Sequence, residues 1–220
     1  MLGLLKSLWH RVSSDRENAP GKRQPSLDPG QADANRAEGA QMSGVVDREA
    51  DFEGAKREAE RLLREHRVFE PPVPILDIAK ESGLTVTFAR FKPEDASVSG
   101  FIRLETAEIF VNIAEPARRQ TFTVAHELGH WCLHRKLIEE NPTLYRVLRR
   151  GPIEHKKSHL EQEADSFAAH LLVPNAFLER YVHGAAFQPS HSILSQLFGV
   201  SEEVIHYRLK DERRRRTRAR

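Results

Sequence analysis

One cysteine in 220 residues, Cys132, leaves no partner for an internal disulfide and excludes a disulfide-stapled scaffold. No run approaches the roughly 18 consecutive apolar residues that a spanning helix requires, which excludes a transmembrane protein. An export signal is also wanting. The opening MLGLLKSLWH has leucines, but Lys6 interrupts its short apolar stretch and no small-residue cleavage site follows. The expected compartment is therefore the cytoplasm. Nor is there a global charge to argue from, since the net charge is only +2. Seven basic and two acidic residues from Lys210 to Arg220 supply +5, leaving the rest of the chain mildly acidic. What remains is a polar chain, 39% apolar and 30% charged, long enough for one ordinary domain and a small appendage.

From Ser13 to about Gly44 the chain is rich in Pro, Gly, Ser, Asp, Asn and Gln, and is expected to be disordered. Leu2, Leu4, Leu5, Leu8 and Trp9 read as a frayed terminus. Order is expected from Val46, with Ala55, Ala59, Leu62, Leu63 and His66 at helical spacing. ILDIAKESG reads as a short helix stopped by Gly83. LTVTFARF, SGFIRLE and AEIFVNI read as strands, the last two joined at Glu105-Thr106. A helix starts at Pro116 and runs through His134, and a second covers His159 to Val173. The class is α+β, a small antiparallel sheet packed by helices.

The chemistry concentrates in TFTVAHELGHWCLH. His126 and His130 lie four apart on one helix face, so both imidazoles reach a single Zn²⁺. Glu127, beside the first histidine, reaches water at the metal as general base. A third ligand comes from the helix at His159–Val173, where Glu161 and Asp165 are also four apart. Glu161 supplies the metal bond and Asp165 accepts a histidine N–H. Glu163 points about 200° away from Glu161 and is expected to take no part. Ala168 and Ala169 are expected to let the helices approach. His134 continues the histidine face but lies too far along the axis to share the ion, and reads as a packing or supporting residue. Cys132 reads as a small buried apolar group and Asn112 as a turn residue. His159, Tyr145 and His155 are candidates only by type for stabilising an oxyanion.

The segments VPILDIAKESGLTV, IFVN, RRQTFTVAHELGHWCLH, EQEADSFAAHLLVP and FGVSEEVIHYRL, in that order, resemble the ImmA/IrrE family of metallopeptidases. The resemblance covers about Val73 to Leu209. It implies a minimal gluzincin-like core, a zinc cofactor, and a protein substrate, often a helix-turn-helix repressor of a mobile element or stress response. Thr121 departs from the Arg that relatives commonly carry, and Asp165 from their frequent Asn. On this reading residues 1–45 are a disordered segment, 46–210 the metallopeptidase domain ending in a helix-turn-helix-like element, and 211–220 a basic disordered tail.

The rival reading is a DNA-binding regulator with a zinc-stabilised domain. ILSQLFGVSEEVIHYRL has the helix, Gly-containing turn and second helix of a helix-turn-helix. Glu202 and Glu203 at the start of its second helix would repel phosphates, so this reading is the weaker. A purely structural zinc module is disfavoured because it has no use for Glu127. No membrane partner is expected.

Overall fold

A computed structural model describes residues 48–140, 158–183 and 188–218, all within Gly44–Arg220, the second of two units into which the chain divides. The disorder expected for residues 1–45 lies outside the described residues, as do Tyr145 and His155.

The Asp51 carboxylate accepts the Gly54 N–H at 2.7 Å and caps α1 (Phe52–Glu65). Ala55, Ala59, Leu62 and Leu63 form its buried face. A second helix, α2 (Ile75–Glu81), is followed by Gly83 with φ 85°, a left-handed conformation that glycine adopts without a Cβ penalty. Strands β1 (Thr85–Ala89), β2 (Gly100–Arg103) and β3 (Glu108–Asn112) form a sheet in the order β1-β3-β2.

The α+β class is as read, but the sheet is mixed and not wholly antiparallel. β2 pairs antiparallel with β3, Gly100 opposite Val111, whereas β1 runs parallel to β3 with Thr85 opposite Glu108. The chain leaving β1 passes beyond the place of β3 before forming β2. The hairpin then returns β3 into the gap, alongside β1 in the same direction. That hairpin turns over Leu104–Ala107 rather than over two residues. Leu104 is drawn into the core and Ala107 takes a positive φ of 50°.

After Pro116, α3 (Ala117–Gly129) continues through one wide π-type turn, His130–His134, into α4 (Arg135–Glu140). The Ser158 hydroxyl accepts the Glu161 N–H and starts α5 (His159–Leu172), which packs against both α1 and α3. The crossing of α3 and α5 is close because Gly129 has no side chain. A Cβ there would sit 2.9 Å from Phe167 Cδ1 and 3.3 Å from Ala164 Cα. Gly129 and Ala164 set this contact, and Ala168 and Ala169, expected to let the helices approach, are buried about one turn further along.

A short α6 (Asn175–Leu178) leads on to α7 (His191–Phe198), closed by Gly199 at φ 68°, and α8 (Glu202–Arg218). The tail expected to be disordered from residue 211 is instead helical to Arg218. An ion pair from Arg215 to Glu179 at 2.6 Å fastens it to the preceding segment, and Arg208 pairs with Asp211 at 2.8 Å within the helix. Ile205, Arg208 and Glu212 are buried, so α8 lays one face on the domain. Arg208 is fully buried and also donates to Val173 O and Asn175 Oδ1.

Candidate metal centre

The register of α3 against α5 brings His126, His130 and Glu161 to one point. His126 Nε2 lies 3.1 Å from His130 Nε2, and each is 3.2 Å from a different oxygen of the Glu161 carboxylate. Bonds of about 2.0–2.1 Å at tetrahedral angles place donor atoms about 3.3 Å apart. The two ring nitrogens, and each nitrogen with its nearer Glu161 oxygen, therefore have the spacing of neighbouring donors around one zinc ion, and the residues fit such an ion. Their exposures differ. The His130 side chain is 5% exposed and that of Glu161 30%, so the approach is from the Glu161 side.

Asp165 Oδ1 lies 3.0 Å from His126 Nδ1, the ring nitrogen facing away from the cluster. Burial acts to lower the His126 pKa, but the hydrogen bonds to Asp165 and Glu161 and the charges of Glu127 and Glu161 outweigh it and raise it to about 10. Burial likewise acts to raise Glu161, yet its hydrogen bonds to both histidines hold it well below the usual carboxylate range. The pocket thus favours positive charge, whether a proton on the imidazole or a cation between the donors. Glu127 is buried beside His126, and its carboxylate makes no hydrogen bond with a described residue. A general base needs such an uncommitted carboxylate.

A second polar chain leaves the site on the other side of α5. His130 Nδ1 meets His134 Nδ1 at 3.1 Å, and His134 Nε2 meets Glu163 Oε2 at 2.8 Å. Both Glu163 oxygens accept from Arg48 at 2.9 Å, and Oε1 also accepts the Asp51 N–H at 2.8 Å. Burial lowers the His134 pKa more than its bond to Glu163 raises it. The sequence reading placed His134 as a packing or supporting residue, expected Glu163 to take no part, and did not single out Arg48. The signal available was the alternation of Glu161, Glu163 and Asp165, which puts one acid on the helix face opposite the other two.

Among the oxyanion candidates only His159 is described. It is buried, its pKa is lowered by burial and then by Arg48, and it senses Glu163 rather than the three donors. Asn112 has the expected turn role, accepting the Ala114 N–H at 3.0 Å. Clefts also lie elsewhere among the described residues. One, of about 710 Å³, lies between α7 and α8, lined by His191, His206, Lys210, Arg213 and Arg214. Another, of about 540 Å³, runs along α1 past Arg48 to Glu163.

The α+β domain gathers two histidines of an H-E-x-x-H helix and a glutamate of a second helix, a donor set of the kind that can hold a metal ion. The peptidase M78 family, described as the IrrE N-terminal-like domain, matches residues 79–210, more than half of the chain, and the chain belongs to that family. It is similar to the metallopeptidase ImmA of Bacillus subtilis (strain 168), with 29% identity over 107 residues, 47% of this chain and 57% of that protein. A transcriptional regulator of Mycobacterium tuberculosis shares the fold, with a TM-score of 0.51 at 16% identity, over 71% of this chain and 46% of that one. The chain spans about half the length of these relatives. Among the described residues no helix is long and apolar enough to cross a membrane.

Proposed function

We propose that the chain is a zinc-dependent endopeptidase of the cytoplasm, with His126, His130 and Glu161 as metal ligands and Glu127 as general base. The observation that carries this reading is the convergence of two ring nitrogens and one carboxylate at 3.1–3.2 Å, with an uncommitted carboxylate next to them. Two imidazoles and one carboxylate leave a fourth position open, as catalytic zinc sites do. Iron or manganese is the alternative ion, because affinity alone does not set metal choice.

Asp165 accepts the Nδ1–H of His126, which turns the Nε2 lone pair toward the ion and fixes the ring. When bound, zinc polarises the scissile carbonyl and acidifies water. Glu127 takes a proton from the attacking water and passes it to the departing amine. The partly exposed edge of the site at Glu161 and Asp165 admits the peptide.

Family membership supports a protein substrate, and the resemblance to ImmA/IrrE peptidases favours a helix-turn-helix repressor. If a helix-turn-helix regulator is encoded beside this chain, its co-expression should yield a discrete fragment that is missing with Glu127→Gln. That variant should keep its metal while hydrolysis falls by roughly 10²–10⁴-fold. An intact regulator under every inducing condition would point to another substrate. Wild-type cleavage by Glu127→Gln would remove the proposed base.

A further inference from the structure

We infer that His134 and Glu163 are positioning residues for His130, and that Arg48 and the Asp51 N–H anchor them, so that the start of α1 helps to support the metal site. The inference rests on the ligand set proposed above. Its warrant is the proton arrangement that the geometry permits. With His130 Nε2 turned to the ion, its proton sits on Nδ1 and donates to His134 Nδ1, 3.1 Å away. His134, accepting at Nδ1, carries its own proton on Nε2 and donates it to Glu163 Oε2 at 2.8 Å. Glu163, charged, only accepts, and takes two bonds from Arg48 and one from the Asp51 N–H. Each donor thus points away from the metal and each acceptor is filled.

The two ligand histidines are therefore oriented by different devices. Asp165 holds His126 directly, at the partly exposed edge of the site. Among the described residues no carboxylate meets His130 Nδ1. His134 extends the reach of Glu163 to it through an interior where His130, His134 and Glu163 are all under 5% exposed. The π-type turn His130–His134 carries both rings of the link. The outer end is accessible, because the Arg48 side chain is 49% exposed and lines the cleft that reaches Glu163. Residues immediately before α1 consequently bear on a ligand two side chains away, although they touch no donor atom.

Zinc affinity, measured on the full chain by competition with a chromophoric chelator, tests this. Partners of this kind change metal affinity by roughly 10–100-fold. His134→Phe keeps the ring but removes both nitrogens, and should weaken zinc by that amount. His134→Gln, whose amide both accepts and donates, should restore most of it. Glu163→Gln should lose about tenfold and Arg48→Met less. Nitrogen-15 spectra of zinc-loaded wild type should show Nδ1–H protons on both His126 and His130. Only the His130 signal should exchange rapidly in His134→Phe. Wild-type affinity in His134→Phe, or no advantage of Gln over Phe, would overturn the inference while leaving the ligand set intact. Should His134→Phe fail to fold, wild-type affinity in Glu163→Gln overturns it equally. If wild type itself bound no zinc, or His126→Ala bound it normally, the ligand set would fall as well.

Discussion

Replacing Gly129 by Ala sets two effects of opposite sign against each other. Gly129 has helical dihedrals, φ −59° and ψ −46°, so Ala gains about 0.8–1.0 kcal/mol of helix propensity. Against this, the new methyl would lie 2.9 Å from Phe167 Cδ1 and 3.3 Å from Ala164 Cα, where carbon atoms rest at about 3.5–4.0 Å. Phe167 is fully buried and Ala164 Cα is backbone, so neither neighbour swings aside. The helices must part by about half an ångström, and overpacking of this kind costs about 1–3 kcal/mol. The steric term wins, for a net loss of about 0–2 kcal/mol. Parting α3 from α5 also draws Glu161 and Asp165 away from His126 and His130, and sites tolerate only about 0.5 Å of such error. Zinc affinity should therefore fall about tenfold, more than the change in stability would suggest. Urea unfolding and chelator competition on the same preparations measure the two effects. Adding Phe167→Leu should recover part of the affinity. A Gly129→Ala variant that is more stable than wild type and binds zinc equally well would refute the reasoning.

Arg208→Met should destabilise the domain by about 3 kcal/mol in urea unfolding, because Val173 O and Asn175 Oδ1 lose a buried donor. Arg208→Lys should not restore it, since one ammonium cannot reach three separated acceptors, and a cost below about 1 kcal/mol would contradict this packing role. Burial, with Glu58 and Glu65 adding to it against Arg61, pushes the Cys132 thiol up to about 12. Its thiolate is thus scarce at pH 8, and alkylation of the folded chain should run roughly 10³-fold slower than for a free cysteine and rise as pH approaches 12. Reaction within tenfold of a free thiol would show that the side chain is not shielded.

The spacing of the histidines was legible in sequence because helix geometry is local, and a four-residue interval places two rings on one face whatever surrounds them. The same reasoning set Glu161 and Asp165 on a common face, and the described structure gathers all four side chains. Long-range choices were not legible. Periodicity finds β1 and β3 but not their parallel pairing, which depends on where a ten-residue connection leads. Glu163 reads as an acid facing away from the metal, and only the packing of α1 on α5 supplies Arg48 and the Asp51 N–H to explain its burial. The arginine run read as a disordered tail because its acids, Glu179 above all, are remote in sequence or buried.

Titration of metal-free chain with zinc, followed by calorimetry, bears most directly on the metal centre. Wild type and Glu127→Gln should each bind one equivalent, while His126→Ala and Glu161→Ala should show no tight binding. Absence of saturable binding in wild type, or one full equivalent retained by Glu161→Ala but lost by Glu127→Gln, would contradict the assignment of ligands and base.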